Sequence, residues 1–369
     1  MNESLEFNAS RLKFARKRRG LTIKALSEKV GLTSKSLSSY ENKSAVPSGK
    51  TIISLANALD FPKIFFYLDD IGPIDASAVS FRSLSRTSAA IRDAALHAGQ
   101  IALELSRWID AKFETPCPDI PDLVGHHPTT AAAAIRRHWG LGEKPINNLV
   151  HLLEAKGIRV FSLVEKTLDM DAYSFWIDDR PFVFLNTQKS VERGRFDAAH
   201  ELGHLVLHKH GAPRGKEVET EAHQFASALL MPEGSILASG VKNPSYAWIF
   251  KEKKRWKVSA AALVRRLKEL SLISEWQYRN FMVEFSGHGY LKNEPEPISE
   301  REASKLFSKV FNVLKDEGIS KYTIAKELSV SPREIDSLIF NLSMTAINGG
   351  FIGTGNVNKP EKGKLKLVK

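Results

Sequence analysis

The stretch HELGHLVLH, residues 200–208, constrains the fold of this chain more tightly than any other segment. On an α-helix His200 and His204 sit one turn apart on a single face, so both imidazoles can reach one tetrahedral zinc ion. Glu201 points about 100° around the helix from His200 and flanks such an ion instead of ligating it. From there it can act as general base toward a water that attacks a carbonyl carbon polarised by the metal. A chain that uses this segment to hold a metal has to pack the helix against a second element that delivers a third ligand.

Several residues compete for that role. His208 extends the same helical face, but positions i, i+4 and i+8 span about 12 Å of axis and cannot converge on one ion. His210 has the spacing HExxHxxGxxH, yet Leu207 stands where that pattern needs a turn-permitting glycine. Downstream, GKEVETEAHQFASALLMP predicts a helix ending before Pro232, with Ala222, Phe225, Ala226 and Leu229 on its apolar side. Glu221 begins its strongly helical part on a face that continues into Phe225, and is the expected third ligand; Glu217 and Glu219 are expected in solvent. Three protein ligands leave a fourth position open, as in catalytic rather than structural zinc sites. Upstream, PINNLVHLLEAKGIRVFSL and DAYSFWIDDRPFVFLN predict a helix, a strand and a hairpin turning at Asp178, Asp179 and Arg180. The hairpin edge around Tyr173 to Leu185 is suited to binding an extended peptide by strand addition.

ERGRFDAAHELGHLVLH followed by EAHQFASALLMP, with PFVFLN and PINNLVHLLEAKGIRV before them, resembles the ImmA/IrrE family of metallopeptidases over roughly residues 126–285. The resemblance implies a zinc-dependent, gluzincin-like protease with His200, His204 and Glu221 as metal ligands and Glu201 as catalytic base. Several members of that family cleave helix-turn-helix repressors after a stress or mobile-element signal. His223 stands where the family motif usually carries asparagine.

The other end of the chain has a different character. Of a net charge of +11, an excess of eleven Lys/Arg over four Asp/Glu lies within residues 1–50, which suggests a polyanionic partner there. Leu12, Phe14 and Ala15 fit a short helix ended by RKRRG, with a basic end expected on the surface. Thr22 can cap a second helix, Gly31 supplies a tight turn, and Thr33 can cap a third running through Asn42. TIISLANALDF and PKIFFYLDD complete a set of five. RLKFARKRRGLTIKALSEKVGLTSKSLSSYENKSAVPSGKTIISLANAL resembles the XRE family of phage-repressor-like DNA-binding domains. That resemblance places Thr33, Ser34, Lys35 and Ser38 at base edges in the major groove, with Ser39 and Lys43 near phosphates. Ile23 occupies the position where the family often has a glutamine that braces the DNA backbone.

Between these regions, residues 71–125 are expected to form a helical connector, packed between domains or between subunits. After the peptidase-like region, GISKYTIAKELSVSPREIDSLIFNL repeats the helix-turn-helix rhythm with mixed charges, which suits packing or dimerisation as well as DNA contact. The Gly-rich, then Lys-rich end reads as a flexible tail. The expected fold is mainly α (α+β overall). A helix-turn-helix domain at 1–70 and the connector at 71–125 precede a zincin-like domain with a small β-sheet at 126–290, followed by C-terminal helices at 291–345 and a basic tail at 346–369.

No apolar run approaches the roughly 20 residues needed to span a bilayer, and the first residues lack a secretory signal pattern. With the single cysteine Cys117 this favours a reducing, cytoplasmic setting. The expected function is a DNA-binding transcriptional regulator, dimeric on a double-stranded operator, whose zinc endopeptidase domain cleaves a repressor, an antitoxin or itself. The alternative is a non-catalytic repressor or antitoxin whose zinc domain senses a ligand or partner.

Overall fold

Capping residues set the N-terminal helices. The computed structural model describes residues 6–74, 88–163, 170–209, 215–298 and 300–339. It begins with α1 (Ala9–Arg18), α2 (Ile23–Val30), α3 (Ser34–Glu41), α4 (Gly49–Leu59) and a 3-10 helix at Lys63–Tyr67, the five helices expected. Thr22 Oγ1 accepts from the Ala25 amide and Thr33 Oγ1 from the Ser36 amide, both at 3.0 Å, satisfying N–H groups that the first helical turn leaves without a partner. Gly31 between them takes φ 69°, the left-handed turn that lets α3 fold across α2. Ile23 opens α2 half-buried against the apolar core rather than as a polar side chain toward solvent.

The basic end of α1 is not the free cationic surface expected of it. Arg16 grips Glu41 with two bonds of 2.6 and 2.8 Å, and Lys17 meets Asp93 at 2.9 Å. Arg18, at 2.9 Å, and Arg19 both pair with Glu334. That carboxylate is 2% exposed and Arg18 is 4% exposed. The partner lies more than three hundred residues away in sequence, so charge counting over the first fifty residues had no access to it.

Helix α5 (Ala89–Lys112) carries the part of the connector that the structure describes; residues 75–87 lie outside it. Its alanine-rich face allows close packing between domains. Tyr173 Oη donates to the Ala95 carbonyl at 2.9 Å, and a Cβ on Gly99 would come within 3.1 Å of Ile74. After α6 (Pro128–His138) and α7 (Leu149–Ala155), a three-stranded sheet forms from β1 (Arg159–Ser162), β2 (Ala172–Ile177) and β3 (Arg180–Leu185) in the order β1-β3-β2. β1 runs parallel to β3 and β2 antiparallel to it, with Ser174 opposite Val183. The hairpin turns on Asp178 and Asp179, both at positive φ (49° and 56°), and Arg180 already belongs to β3.

Strand alternation divides the core in two. Tyr173, Phe175, Phe182 and Phe184 stack with Phe161 on one face, joined to α5 and the N-terminal helices. Val160, Ala172, Val183 and Leu185 face the second core. That core is shared by α6 and α7 with α8 (Val191–Leu207), α9 (Lys216–Leu230), α10 (Glu233–Leu237), α11 (Tyr246–Trp256), α12 (Ala260–Glu269) and α13 (Glu275–Gly287).

The last described helices, α14 (Lys305–Asp316), α15 (Lys321–Glu327) and α16 (Pro332–Leu338), return to the first core through Phe307, Phe311, Ile335 and Leu338. Two glutamates lock this return by capping each other's helix. Glu302 accepts from the Leu149 and Val150 amides at 2.8 and 3.1 Å, and Glu154 from those of Lys305 and Leu306 at 2.8 and 3.0 Å. The face of α16 that bears Glu334, Ile335 and Leu338 is buried, so this second helix-turn-helix rhythm serves packing along that face. The basic tail, 346–369, lies outside the described residues. Among those described, no helix is long and apolar enough to cross a membrane.

Candidate metal centre and nucleic-acid interface

Helix α8 is capped by Ser190 and carries the motif in its last two turns. His200 Nε2 and His204 Nε2 stand 3.1 Å apart. A carboxylate from α9 closes the triangle, and it comes from Glu219: its oxygens lie 3.3 Å from His200 Nε2 and 3.6 Å from His204 Nε2. Glu221, the expected third ligand, is placed elsewhere. It is 47% exposed against 15% for Glu219, and its Oε2 lies 2.9 Å from His208 Nε2.

Backbone contact explains this exchange. Residues two apart on a helix point about 200° apart, so Glu219 and Glu221 cannot share a face. What decides between them is Gly203, where a Cβ would lie 3.2 Å from the Ala222 Cα and carbonyl oxygen and 3.1 Å from Phe225. The two helices therefore touch backbone to backbone at Gly203 and Ala222, and Glu219, one turn before Ala222, faces the histidines. The cue in the sequence was the glycine inside HELGH, read together with the i, i+3, i+7 stripe of Glu219, Ala222 and Ala226.

Glu201 is buried beside this triangle, and Ser174 Oγ of β2 donates to its Oε2 at 2.6 Å, fixing the carboxylate's rotamer. Sequence reasoning also missed this partner, since only the fold brings β2 over α8. Among the described residues, His200, Glu201 and His204 form a group whose potential ligand atoms all lie within 4.8 Å of one another. The donor set fits zinc. Two ligands on one tetrahedral ion at about 2.0–2.1 Å lie roughly 3.3 Å apart; here the two Nε2 atoms are 3.1 Å apart, and Glu219 brings Oε2 to 3.3 Å from His200 and Oε1 to 3.6 Å from His204. Burial, then the charges of His200 and His208, hold His204 well below the usual imidazole pKa, which keeps it in the neutral form that ligates. Burial opposes a charge on His200 as well, but the hydrogen bond to Glu219 and the nearby carboxylates outweigh it and raise its pKa.

The centre opens into a cavity of about 690 Å³ between α8, β2 and the helices α12 and α13. Phe196, Tyr278 and Met282 supply apolar wall, Arg193, Arg265 and Lys292 positive charge, and Ala172 of the sheet's edge strand borders it. His223 lines it too, half-buried, with its ring 4.7 Å from that of Phe196 and 6.3 Å from that of His200. Asp197, one turn before His200, is half-buried there with its Oδ2 shielded from solvent, and desolvation pushes its pKa up to about 6. His210 lies outside the described residues.

On the N-terminal domain, Thr33, Ser34, Lys35 and Lys43 are exposed at and around α3, and Ser38 and Ser39 are half-buried on it. Thr33 is committed to the cap, Ser34 Oγ lies 3.1 Å from Ser27 Oγ, and Ser38 Oγ accepts from Asn42 at 3.3 Å. With Arg16, Arg18 and Arg19 engaged internally, Lys35 and Lys43 remain exposed cations at and beside α3.

The comparisons with known proteins agree with this division. Residues 9–64 match the family model of a helix-turn-helix domain, and residues 153–268 match that of the IrrE N-terminal-like domain, a peptidase family. The search of curated proteins found no match. The chain is thus a fusion of an XRE-type helix-turn-helix domain with an IrrE/ImmA-type domain of metallopeptidase character.

Proposed function

We propose that this chain is a DNA-binding transcriptional regulator whose second domain is a zinc-dependent endopeptidase, cutting a regulatory protein such as a helix-turn-helix repressor, an antitoxin or a copy of itself. The observation that carries the reading is the convergence of His200, His204 and the Glu219 carboxylate within 3.1–3.6 Å, set beside a buried Glu201 and facing a cavity large enough for a peptide.

A zinc ion held by those three side chains supplies Lewis acidity toward the scissile carbonyl and brings a water's pKa toward neutrality. The chain's own residues do the rest. Edge strand β2 pairs with an extended substrate and aligns its backbone along the cavity. Glu201 takes the proton of the attacking water and delivers it to the departing amine, with Ser174 holding its carboxylate in place. Phe196, Tyr278 and Met282 receive an apolar side chain next to the cut bond and keep bulk water from it. On the DNA side, the exposed start of α3 enters the major groove of a half-site, and a dimer spans two such sites.

A second reading, a zinc domain that senses a partner and cuts nothing, draws support from the core shared between the N-terminal helices, α5 and α14–α16, which ties DNA binding to the rest of the chain. Purified protein loaded with zinc, incubated with candidate repressors and with itself and analysed by mass spectrometry, separates the two. Cleavage present in the native protein and lost in Glu201→Gln supports the peptidase. Promoter regulation unchanged in Glu201→Gln, with zinc still bound, would sink it as the basis of regulation.

A further inference from the structure

His204 is engaged at both ring nitrogens. Its Nε2 faces His200 and Glu219, while its Nδ1 lies 3.1 Å from Nδ1 of His208. The far nitrogen of His208 in turn lies 2.9 Å from Glu221 Oε2. The three histidines follow one another along one face of α8 to its C-cap, with ring centroids 4.7 and 5.3 Å apart, and the His208 backbone N–H donates a hydrogen bond to the His204 carbonyl at 3.0 Å. The His208 side chain is 8% exposed, whereas Glu221 sits at the rim, where water solvates its charge.

One assignment of protons satisfies this chain of contacts with a metal at the centre. Glu221 is a pure acceptor, so His208 donates to it from Nε2 and keeps a lone pair on Nδ1. His204 then donates its Nδ1 proton to that lone pair and presents the Nε2 lone pair inward, the tautomer a ligating imidazole needs. A histidine that cannot reach the ion and a glutamate displaced from it acquire a shared role in this arrangement.

We propose that His208 and Glu221 are positioning residues for the metal centre, forming a relay from Glu221 through His208 to His204 that fixes the tautomer and ring orientation of His204. The relay rests on reading His200, His204 and Glu219 as a zinc site. It adds an oriented ligand without adding a fourth one, so the exchangeable position stays open.

The test is zinc affinity of the full chain, measured by competition with a chromophoric chelator, with the melting temperature of the metal-free protein recorded beside it. His208→Phe should weaken zinc binding about 10- to 100-fold and Glu221→Gln about tenfold, with little change in the metal-free melting temperature. Because Glu221 acts through His208, the double variant should bind no more weakly than His208→Phe alone. His208→Gln, which keeps an acceptor at similar reach, should recover much of the affinity and carries the test if the phenylalanine variant fails to fold. Native affinity in His208→Phe, or additive losses in the double variant, would overturn the relay while leaving the zinc site standing. Failure of the native protein to bind zinc, or zinc retained at full strength in His204→Ala, would overturn the zinc site and the relay with it.

Discussion

Two buried charged clusters, the clasp of Arg18 and Arg19 on Glu334 and the group of His200, His204 and Glu219, look alike by burial and differ in their hydrogens. In the clasp every contact joins a guanidinium N–H to a carboxylate oxygen, donor to acceptor, so the cluster is complete as it stands. Burial alone would raise the Glu334 pKa, yet the two arginines outweigh it and hold the carboxylate below its usual value. In the second cluster three contacts, His200 with His204 and each of them with Glu219, share at most two N–H protons, one on each Nε2. A cation resolves that mismatch. Buried charge is a structural device where donors and acceptors balance, and a candidate binding site where they do not.

The largest expected effect lies on the unbalanced side. Glu201→Gln should lower proteolysis about 10²- to 10⁴-fold with zinc stoichiometry and operator affinity unchanged, read by a cleavage assay and a DNA-binding titration. On the balanced side, Glu334→Ala removes the buried carboxylate that pairs with Arg18 and Arg19 and should cost about 3–5 kcal/mol in urea unfolding, with zinc content intact. Loss of zinc in that variant would show that the two clusters are coupled.

Gly203→Ala probes the contact that selects Glu219. The added methyl meets Ala222 backbone at 3.2 Å, so about 1–3 kcal/mol of stability and a measurable part of zinc affinity should go together. A variant with unchanged affinity would mean that helix spacing does not set the ligand. The smallest effect is acid sensitivity. Glu334 is held below its ordinary value of 4.5, so the clasp contributes fully above that pH and loses its contribution as pH falls through the depressed value. The stability gap between native protein and Glu334→Gln should therefore narrow only below about pH 4.5. A gap that closes at neutral pH would contradict the clasp.

Much of this was legible in the sequence where the governing contacts are local. Helical spacing places His200 and His204 together, Thr22, Gly31 and Thr33 mark the helix-turn-helix, and the double aspartate marks the hairpin. What escaped depends on contacts between distant segments. Glu219 was read as solvated because the crossing point of two helices cannot be had from either one alone. Ser174 reaches Glu201 only once the sheet lies over α8, and Arg18 and Arg19, expected on the surface, pair with a glutamate near the other end of the described chain. The C-terminal helices show the same limit, since their rhythm names a motif and only their buried face says what it does.

The most direct measurement of the central claim is metal content, by elemental analysis after dialysis, of the native protein beside Glu219→Ala and Glu221→Ala. The expected result is about one zinc per chain in the native protein, none in Glu219→Ala, and zinc still present but more weakly held in Glu221→Ala. Zinc retained in Glu219→Ala and abolished in Glu221→Ala would contradict the geometry on which both the catalytic reading and the relay stand.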